Sequence, residues 1–336
     1  MNVSVIGASG YTGAQLVHYL HKHPKFEITQ CFVSAQSQDA NKKLNELHGF
    51  LDKDCDYPLT PLSTEQVTEV GNNNAAVFLA LPHEASHGWV AALSTTPTKI
   101  FDLSAAYRLS DMQMFSQYYG FEHEHEALQQ SSVYGLVEWN KNAIAEAQVV
   151  AVPGCYPTAS LLALKPLIEN QLIDTSKMPV INAVSGVSGA GRKASFTTSF
   201  YEVSLNAYGV HTHRHIPEIE EHAGAPVIFT PHLGNFKRGI LATTTVFLNK
   251  DTTAEAIDEA FINAYANCDL IRLKTTWPKV DDVAHTAYCD LYWEYNEDKS
   301  CVIIGSAIDN LLKGASTQAI QCANLAFGLP DSEGLI

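Results

Sequence analysis

Apolar positions along this chain fall into short strand-like runs separated by helical-period segments in the first half, and into longer runs in the second. Residues 3–6 read Val-Ser-Val-Ile, and Ala14, Leu16, Val17 and Leu20 then recur on a helical period. Residues 28–33, 76–81 and 99–103 are further strands. The last two are near-continuous apolar runs, as parallel strands covered on both faces require. Residues 106–132 are less regular. An apolar-periodic helix runs from the region of residue 157 to residue 168. Beyond it, residues 180–184, 227–230, 239–248, 288–295 and 302–308 predict a second sheet, mixed or antiparallel. A final helix is expected over 311–327.

The first strand runs at once into Gly7-Ala8-Ser9-Gly10-Tyr11-Thr12-Gly13, and a helix follows. Strand, Gly-rich turn and helix at this spacing are a variant of the dinucleotide fingerprint, in which glycines let the backbone approach a pyrophosphate resting on the helix N-terminus. The predicted fold is therefore α/β: a Rossmann-type doubly wound sheet, then an α+β catalytic domain, with the last helix returning to the first domain. The expected boundaries are 1–153 with 312–336 for the first domain and 154–311 for the second. Gly7, Ser9, Gly10, Tyr11, Thr12 and Gly13 are assigned to the cofactor. About twenty residues on, where an acid would hold an NAD ribose, the chain carries Ser34-Ala35-Gln36-Ser37. The missing carboxylate and the hydroxyls of Ser34 and Ser37 favour NADP(H), with Lys42 and Lys43 near enough in sequence to help. Loops after strand C-terminal ends bind ligands in such sheets, which nominates Pro82, His83, Ser104 and Arg108.

Composition narrows the partners. The 336 residues are 46% apolar and 17% charged, ample for two cores, and the net charge of −15 argues against nucleic acid or an anionic membrane. An acidic chain that binds an anion must gather cations locally, and Arg192-Lys193, Arg214, Lys237-Arg238 and Lys313 do so. Seven widely spaced cysteines without a Cys-x-x-Cys predict neither a disulfide framework nor a zinc site, and fit a reducing cytoplasm. No apolar stretch reaches the ~18 residues of a membrane span, and a strand starting at residue 2 leaves no room for a signal peptide. His123-Glu124-His125-Glu126 resembles metal-ligand chemistry but is expected on a solvated face; no metal is predicted.

The chemistry concentrates in Pro153-Gly154-Cys155-Tyr156-Pro157-Thr158-Ala159. Pro157 suits the start of a helix, and a thiol there lies near free N–H donors and the positive end of the macrodipole, which favour thiolate. Residues 185–193, Ser-Gly-Val-Ser-Gly-Ala-Gly-Arg-Lys, offer clustered N–H groups and cations for a phosphate or carboxylate. Ser185 and Gly186 are assigned to the cofactor, Arg192 to the substrate. Lys237 and Arg238 are placed to face an anionic substrate, and Asn310 to lie near a nicotinamide. His211, His213 and His215 would share one strand face; they could ligate zinc, or set one imidazole beside Cys155 as a base, and the second reading is preferred because no further ligands complete a zinc pattern. A nicotinamide, an activated cysteine, a histidine and anion-binding cations together define thiolate attack on an acyl phosphate followed by hydride reduction.

These motifs resemble the N-acetyl-γ-glutamyl-phosphate reductase family of arginine biosynthesis. The likeness rests on Pro153-Gly154-Cys155-Tyr156-Pro157-Thr158, His213-Arg214-His215-Ile216-Pro217-Glu218, Leu79-Ala80-Leu81-Pro82-His83, Asp102-Leu103-Ser104-Ala105, and Asp309-Asn310-Leu311 through Lys313-Gly314-Ala315, and it spans essentially the whole chain. It implies that Cys155 is the nucleophile, that His215 is the acid/base with His213 the second choice, that NADPH is the reductant, and that the chain forms a homo-oligomer, dimer or tetramer. The substrate implied is a small anionic acyl phosphate. Ala106 stands where the family usually has an acid, and Val137 where it has Pro. The alternatives are another acyl-phosphate reductase, of aspartate-semialdehyde or N-acetyl-aminoadipyl type, a non-catalytic NADP(H) sensor, or a zinc hydrolase.

Overall fold

β1 (Asn2–Ile6) is fully buried from Val3 to Ile6, and the first sheet grows outward from it. The computed structural model describes residues 1–336, which divide into two compact units, 1–154 with 315–336 and 155–314. In the first unit β1 is followed by α1 (Tyr11–His21), β2 (Glu27–Ser34), α2 (Leu44–Leu47), β3 (Leu59–Leu62), α3 (Val67–Asn73), β4 (Ala76–Leu79), α4 (His83–Leu93) and β5 (Lys99–Asp102). Then come α5 (Met112–Tyr119), α6 (Glu126–Ser131), β6 (Val133–Tyr134), α7 (Val137–Glu146) and β7 (Val149–Ala151). The strand order is β3-β2-β1-β4-β5-β7-β6 with every pairing parallel. The chain moves outward from β1 to β3, then returns to lay β4 against the other side of β1. That reversal puts the turns after β1 and β4 side by side, where open α/β sheets form their ligand crevice.

The stretch expected to be irregular contains α5 and α6, and its acidic-histidine run is not a solvated face. Glu122, Glu124 and Glu126 are exposed, but the alternating His123 and His125 turn inward, as alternate residues of an extended segment must. The His87 ring lies 4.4 Å from His123 and 4.7 Å from His125, and Phe115 and Tyr107 close around His123. His87 Nε2 accepts the Glu124 N–H at 3.1 Å.

The second unit opens with α8 (Cys155–Glu169), β8 (Val180–Ser185), β9 (Asn206–Ala207), α9 (His215–Ala223), β10 (Ile228–Leu233) and β11 (Ile240–Phe247). It continues through α10 (Ala254–Tyr265), β12 (Ile271–Leu273), α11 (Val280–Val283), β13 (Cys289–Asn296) and β14 (Cys301–Ile308). The sheet order is β12-β13-β14-β11-β8-β10-β9. It is mixed: β8 pairs parallel with β10, and antiparallel with β11. One face of the sheet is covered by α8, which packs on β11 and β14, while α9 and α10 pack on α8. The last helix starts later than its apolar period suggests. A π-helical turn, Leu312–Ser316, comes first, and α12 (Thr317–Ala326) then packs on α7 and β5 within the first unit.

α8 is apolar nearly all round, and it carries Pro166 in its interior. A proline there has no N–H for the carbonyl four residues back, and the Leu162 carbonyl is left over. The buried Tyr265 hydroxyl donates to it at 2.6 Å. Tyr265→Phe should therefore destabilise the chain by about 1–3 kcal/mol, the cost of a buried acceptor without a donor, readable in the urea midpoint.

Burial, with His87 adding to it, lowers His123 to about 4, and burial lowers His87 too. Unfolded, both titrate near 6.5, so below that pH the unfolded chain binds more protons. The stability these neutral rings confer is whole above about pH 6.5, falls as pH drops toward 4, and levels off below. Melting temperatures measured across that window should fall less steeply for His123→Phe than for the wild type.

Candidate active site

The turn after β1 can exist only with glycine in it. Gly7 holds φ at +86°, and a Cβ on it would stand 2.2 Å from the Ala80 carbonyl oxygen. A Cβ on Gly13 would stand 2.3 Å from the Gly7 oxygen. The two turns at the sheet's reversal thus meet backbone to backbone. No side chain caps α1, whose N-cap is Gly10, so the first-turn N–H groups at Tyr11, Thr12 and Gly13 face outward for an anion. This cradle fits a dinucleotide pyrophosphate. Ser9 lies in the turn, and its carbonyl is bonded to His48 Nε2 at 2.9 Å. Ser34, at the end of β2, is exposed, and Ser37 Oγ accepts the Asp39 N–H. The two neighbouring lysines are not free as the sequence suggested: Lys42 pairs with Asp39 at 3.0 Å and Lys43 with Asp56 at 2.7 Å.

Pro82 is the N-cap of α4, and His83 Nδ1 accepts the Ala105 N–H at 2.9 Å. Ser104 and Arg108 are both buried. The Ser104 hydroxyl donates to Asp102 at 2.8 Å, Ser86 donates to the same carboxylate at 2.6 Å, and Arg108 Nη2 donates to the Leu103 carbonyl. Burial pushes the Asp102 carboxyl up, opposed by these hydroxyls and by Arg108.

In the second unit Cys155 is the first residue of α8 and Pro157 the third, where the missing N–H costs nothing. His215 is the first residue of α9. The two helices pack together, and Tyr156 sets its ring edge-on to His213 at 5.6 Å and to His215 at 5.9 Å. The three histidines do not share a strand face. His211 is exposed in a left-handed turn at φ +60°, residues 209–213 form a turn, and a helix has begun by His215. His213 Nδ1 accepts the His215 N–H at 3.1 Å, so this ring caps the start of α9. Burial, with Arg214 beside it, lowers His213 to about 4. A neutral, weakly basic ring bonded to backbone suits positioning. Tyr156 donates to the His232 carbonyl at 3.0 Å and accepts from Tyr208, which fixes the wall behind both rings.

Asp309 joins the remaining pieces. Its carboxylate is fully buried; one oxygen accepts Arg238 Nε at 2.5 Å and the His285 N–H at 2.7 Å, the other accepts the N–H groups of Leu311 and Leu312. Asn310 Oδ1 accepts the Gly239 N–H at 2.7 Å, and its amide nitrogen donates to Ser188. Ser185 is buried, and a Cβ on Gly186 would stand 2.6 Å from the Arg238 nitrogen, so these two loops are also in backbone contact. Arg192, Lys193, Arg214 and Lys237 are exposed, whereas Lys313 is fully buried. The Gly314 N–H bonds the Asp309 carbonyl at 3.0 Å, and a Cβ on Gly314 would lie 2.8 Å from the Cys155 Cβ.

The chain is similar to known proteins. Residues 2–147 match the semialdehyde dehydrogenase NAD binding domain, and residues 155–310 the semialdehyde dehydrogenase dimerisation domain. The chain is 55% identical over 332 residues to N-acetyl-gamma-glutamyl-phosphate reductase of Pseudoalteromonas atlantica, covering 99% of this chain and 97% of that one. It is 51% identical to the protein of the same name in Aliivibrio fischeri over the full length of both. This chain belongs to the N-acetyl-γ-glutamyl-phosphate reductase family. Its fold is also that of aspartate semialdehyde dehydrogenase II from Vibrio cholerae, with a TM-score of 0.72 at 18% identity over 97% of this chain and 98% of that one.

Parts of this arrangement that act through the backbone carry no local sequence signal. Asp309 reads locally as a helix-start residue, and nothing in its neighbourhood announces Arg238, 71 positions away. Gly314 stands inside a quoted motif, but its contact with Cys155 is made by the π-helical turn, which no apolar period signals. Gly314→Ala should leave the chain folded, at a cost of about 1–3 kcal/mol for overpacking. It should lower kcat by about 100-fold, as a displacement near 1 Å does, and slow iodoacetamide alkylation of Cys155. Unchanged kcat and alkylation rate would show that Cys155 tolerates the shift.

Proposed function

We propose that this chain reduces N-acetyl-γ-glutamyl phosphate to N-acetylglutamate 5-semialdehyde and inorganic phosphate, with NADPH, in arginine biosynthesis. The observation that carries this reading is the placement of Cys155 and His215 as first residues of two packed helices; full-length relatives named for this reaction support the substrate.

The residues divide the work as follows. The start of α8 favours negative charge on the Cys155 sulfur, and His215 takes the thiol proton. The thiolate attacks the γ-carbonyl carbon. First-turn N–H groups of α8 stabilise the resulting oxyanion, the carbon–oxygen bond to phosphate breaks, and phosphate departs with the electron pair, leaving a thioester on Cys155. NADPH, when bound, supplies the hydride that brings the thioester carbon to the aldehyde level. His215 returns its proton as the carbon–sulfur bond breaks. Gly7, Ser9, Gly10, Tyr11, Thr12 and Gly13 would hold the pyrophosphate, and Ser34 and Ser37 the 2′-phosphate. Pro82 in the first unit, and Ser185, Gly186 and Asn310 in the second, are each proposed as cofactor contacts. Exposed Arg192 and Lys237 are the proposed direct anion contacts. Ser104 and Arg108 in the first unit, and Arg238 in the second, are each proposed to position a substrate-side loop of its own unit.

We also infer a homo-oligomer. The matched dimerisation domain supports it, as does the open face of the second sheet, where Ile228, Val180, Thr245 and Ile303 stand in register across four strands, with Ile228 40% and Ile303 38% exposed. No helix is long and apolar enough to cross a membrane. Seven widely spaced cysteines and thiolate chemistry fit the reducing cytoplasm.

The test is NADP⁺ reduction with N-acetylglutamate semialdehyde and inorganic phosphate. Activity should require phosphate and fall about 1,000-fold or more in Cys155→Ala. His215→Asn should lower kcat by roughly 100- to 10,000-fold and remove one limb of the pH–rate profile, while His213→Asn keeps the profile's shape. Phosphate-independent turnover, or near-normal rates in Cys155→Ala, would overturn the reading.

A further inference from the structure

At the end of α1 remote from the Gly-rich turn, three side chains of different chemistry converge. His21 Nε2 lies 3.3 Å from Asp54 Oδ2, and the Cys55 sulfur completes a set whose donor atoms all lie within 4.8 Å of one another. No other group of histidine, cysteine and carboxylate side chains in the chain converges this closely. Metal–nitrogen and metal–oxygen bonds of about 2.0–2.2 Å and a metal–sulfur bond of about 2.3 Å place tetrahedral ligand atoms roughly 3.3–3.7 Å apart. The nitrogen and oxygen already stand at that spacing, and the sulfur needs a shift on the order of 1 Å.

The surroundings are those of a ligand set. His21 Nδ1 is bonded to the Tyr57 hydroxyl at 2.9 Å, which fixes the ring with Nε2 toward Asp54, the outer-shell hydrogen bond that metal-bound histidines usually have. Cys55 is fully buried while the Asp54 side chain is 75% exposed, so the set has a dry base and an open mouth. The loop that carries Asp54 and Cys55 is anchored: Asp52 pairs with Lys22 of α1 at 2.9 Å, and the Asp52 carbonyl accepts the Cys55 N–H.

We propose that His21, Asp54 and Cys55 bind one borderline-soft divalent cation, of the zinc, cobalt or cadmium class, with solvent in the fourth position. The mixed nitrogen, oxygen and sulfur donors select these ions over magnesium or calcium, and a carboxylate with a thiolate balances a double positive charge. On binding, the Cys55 sulfur–hydrogen bond breaks, its proton passes to solvent, and a sulfur–metal bond forms. The ion ties the 50–58 loop to the end of α1. The preceding residue His48 bonds the Ser9 carbonyl of the Gly-rich turn, so the loop reaches both sites.

The experiment is a Co²⁺ titration of the full chain in a Cys155→Ser background, which removes the partly exposed thiol of α8 from the readout. A thiolate-to-cobalt charge-transfer absorption should grow to saturation at one ion per chain, and Zn²⁺ should displace it. Asp54→Asn and His21→Gln should each raise the dissociation constant about 10- to 100-fold, and Cys55→Ser should abolish the band. Asp54 is a surface residue, so its variant keeps the test informative should Cys55→Ser fold poorly. Absence of the band, its persistence in Cys55→Ser, or unchanged affinity in both Asp54→Asn and His21→Gln would overturn the assignment.

Discussion

The second unit depends on one buried carboxylate. Asp309 accepts four hydrogen bonds, from the Arg238 side chain and from the backbones of His285, Leu311 and Leu312. A charge so far from water is tolerated only when it is paired and fully bonded. Satisfying Asp309 therefore fixes three chain segments at once: the loop before β11, the turn after α11 and the π-helical turn after β14. That last turn carries Gly314 to within van der Waals contact of Cys155. Removing one partner of such a pair typically costs about 3–5 kcal/mol, because the other charge stays buried. In this chain it would also loosen the turn that packs Gly314 against Cys155.

Absent side chains do as much positioning as present ones. At Gly7 and at Gly314 any Cβ would collide with a fixed group, the Ala80 carbonyl in one case and Cys155 in the other. Both glycines let two backbone segments approach where the chemistry needs no side chain between them. The first builds an anion cradle at a helix N-terminus, the second seats a thiol at another. Both helices offer the same physical resource, N–H groups of a first turn at the positive end of a dipole, which favours negative charge.

Much of the molecule was legible from the chain alone. The alternation of short apolar runs with helical periods placed β1, β2, β4, β5, β8, β11, β13 and β14 within a few residues, and the glycine turn placed the dinucleotide cradle, because these signals are local. His123 and His125 were misjudged, since their inward direction depends on His87 and Phe115 packing over them from α4 and α5. His211, His213 and His215 were misread as a strand because their spacing has period two. What decides otherwise is Gly209 in a left-handed turn and the His213 ring capping α9, neither of which periodicity records.

The sequence by itself determined the fold class, the cofactor turn, the cysteine at a helix start and the histidine motif, because each is written within a dozen residues and set by backbone geometry, propensity and apolar period. Only the tertiary structure decided that the His213 ring accepts the His215 N–H, that Arg238 is paired with Asp309 while Lys237 stays in solvent, and that Gly314 lies against Cys155. The Asp309 and Gly314 outcomes join residues 71 and 159 positions apart. They follow from the demand that buried charges and backbone groups find partners, a demand that exists only once the chain has closed around them.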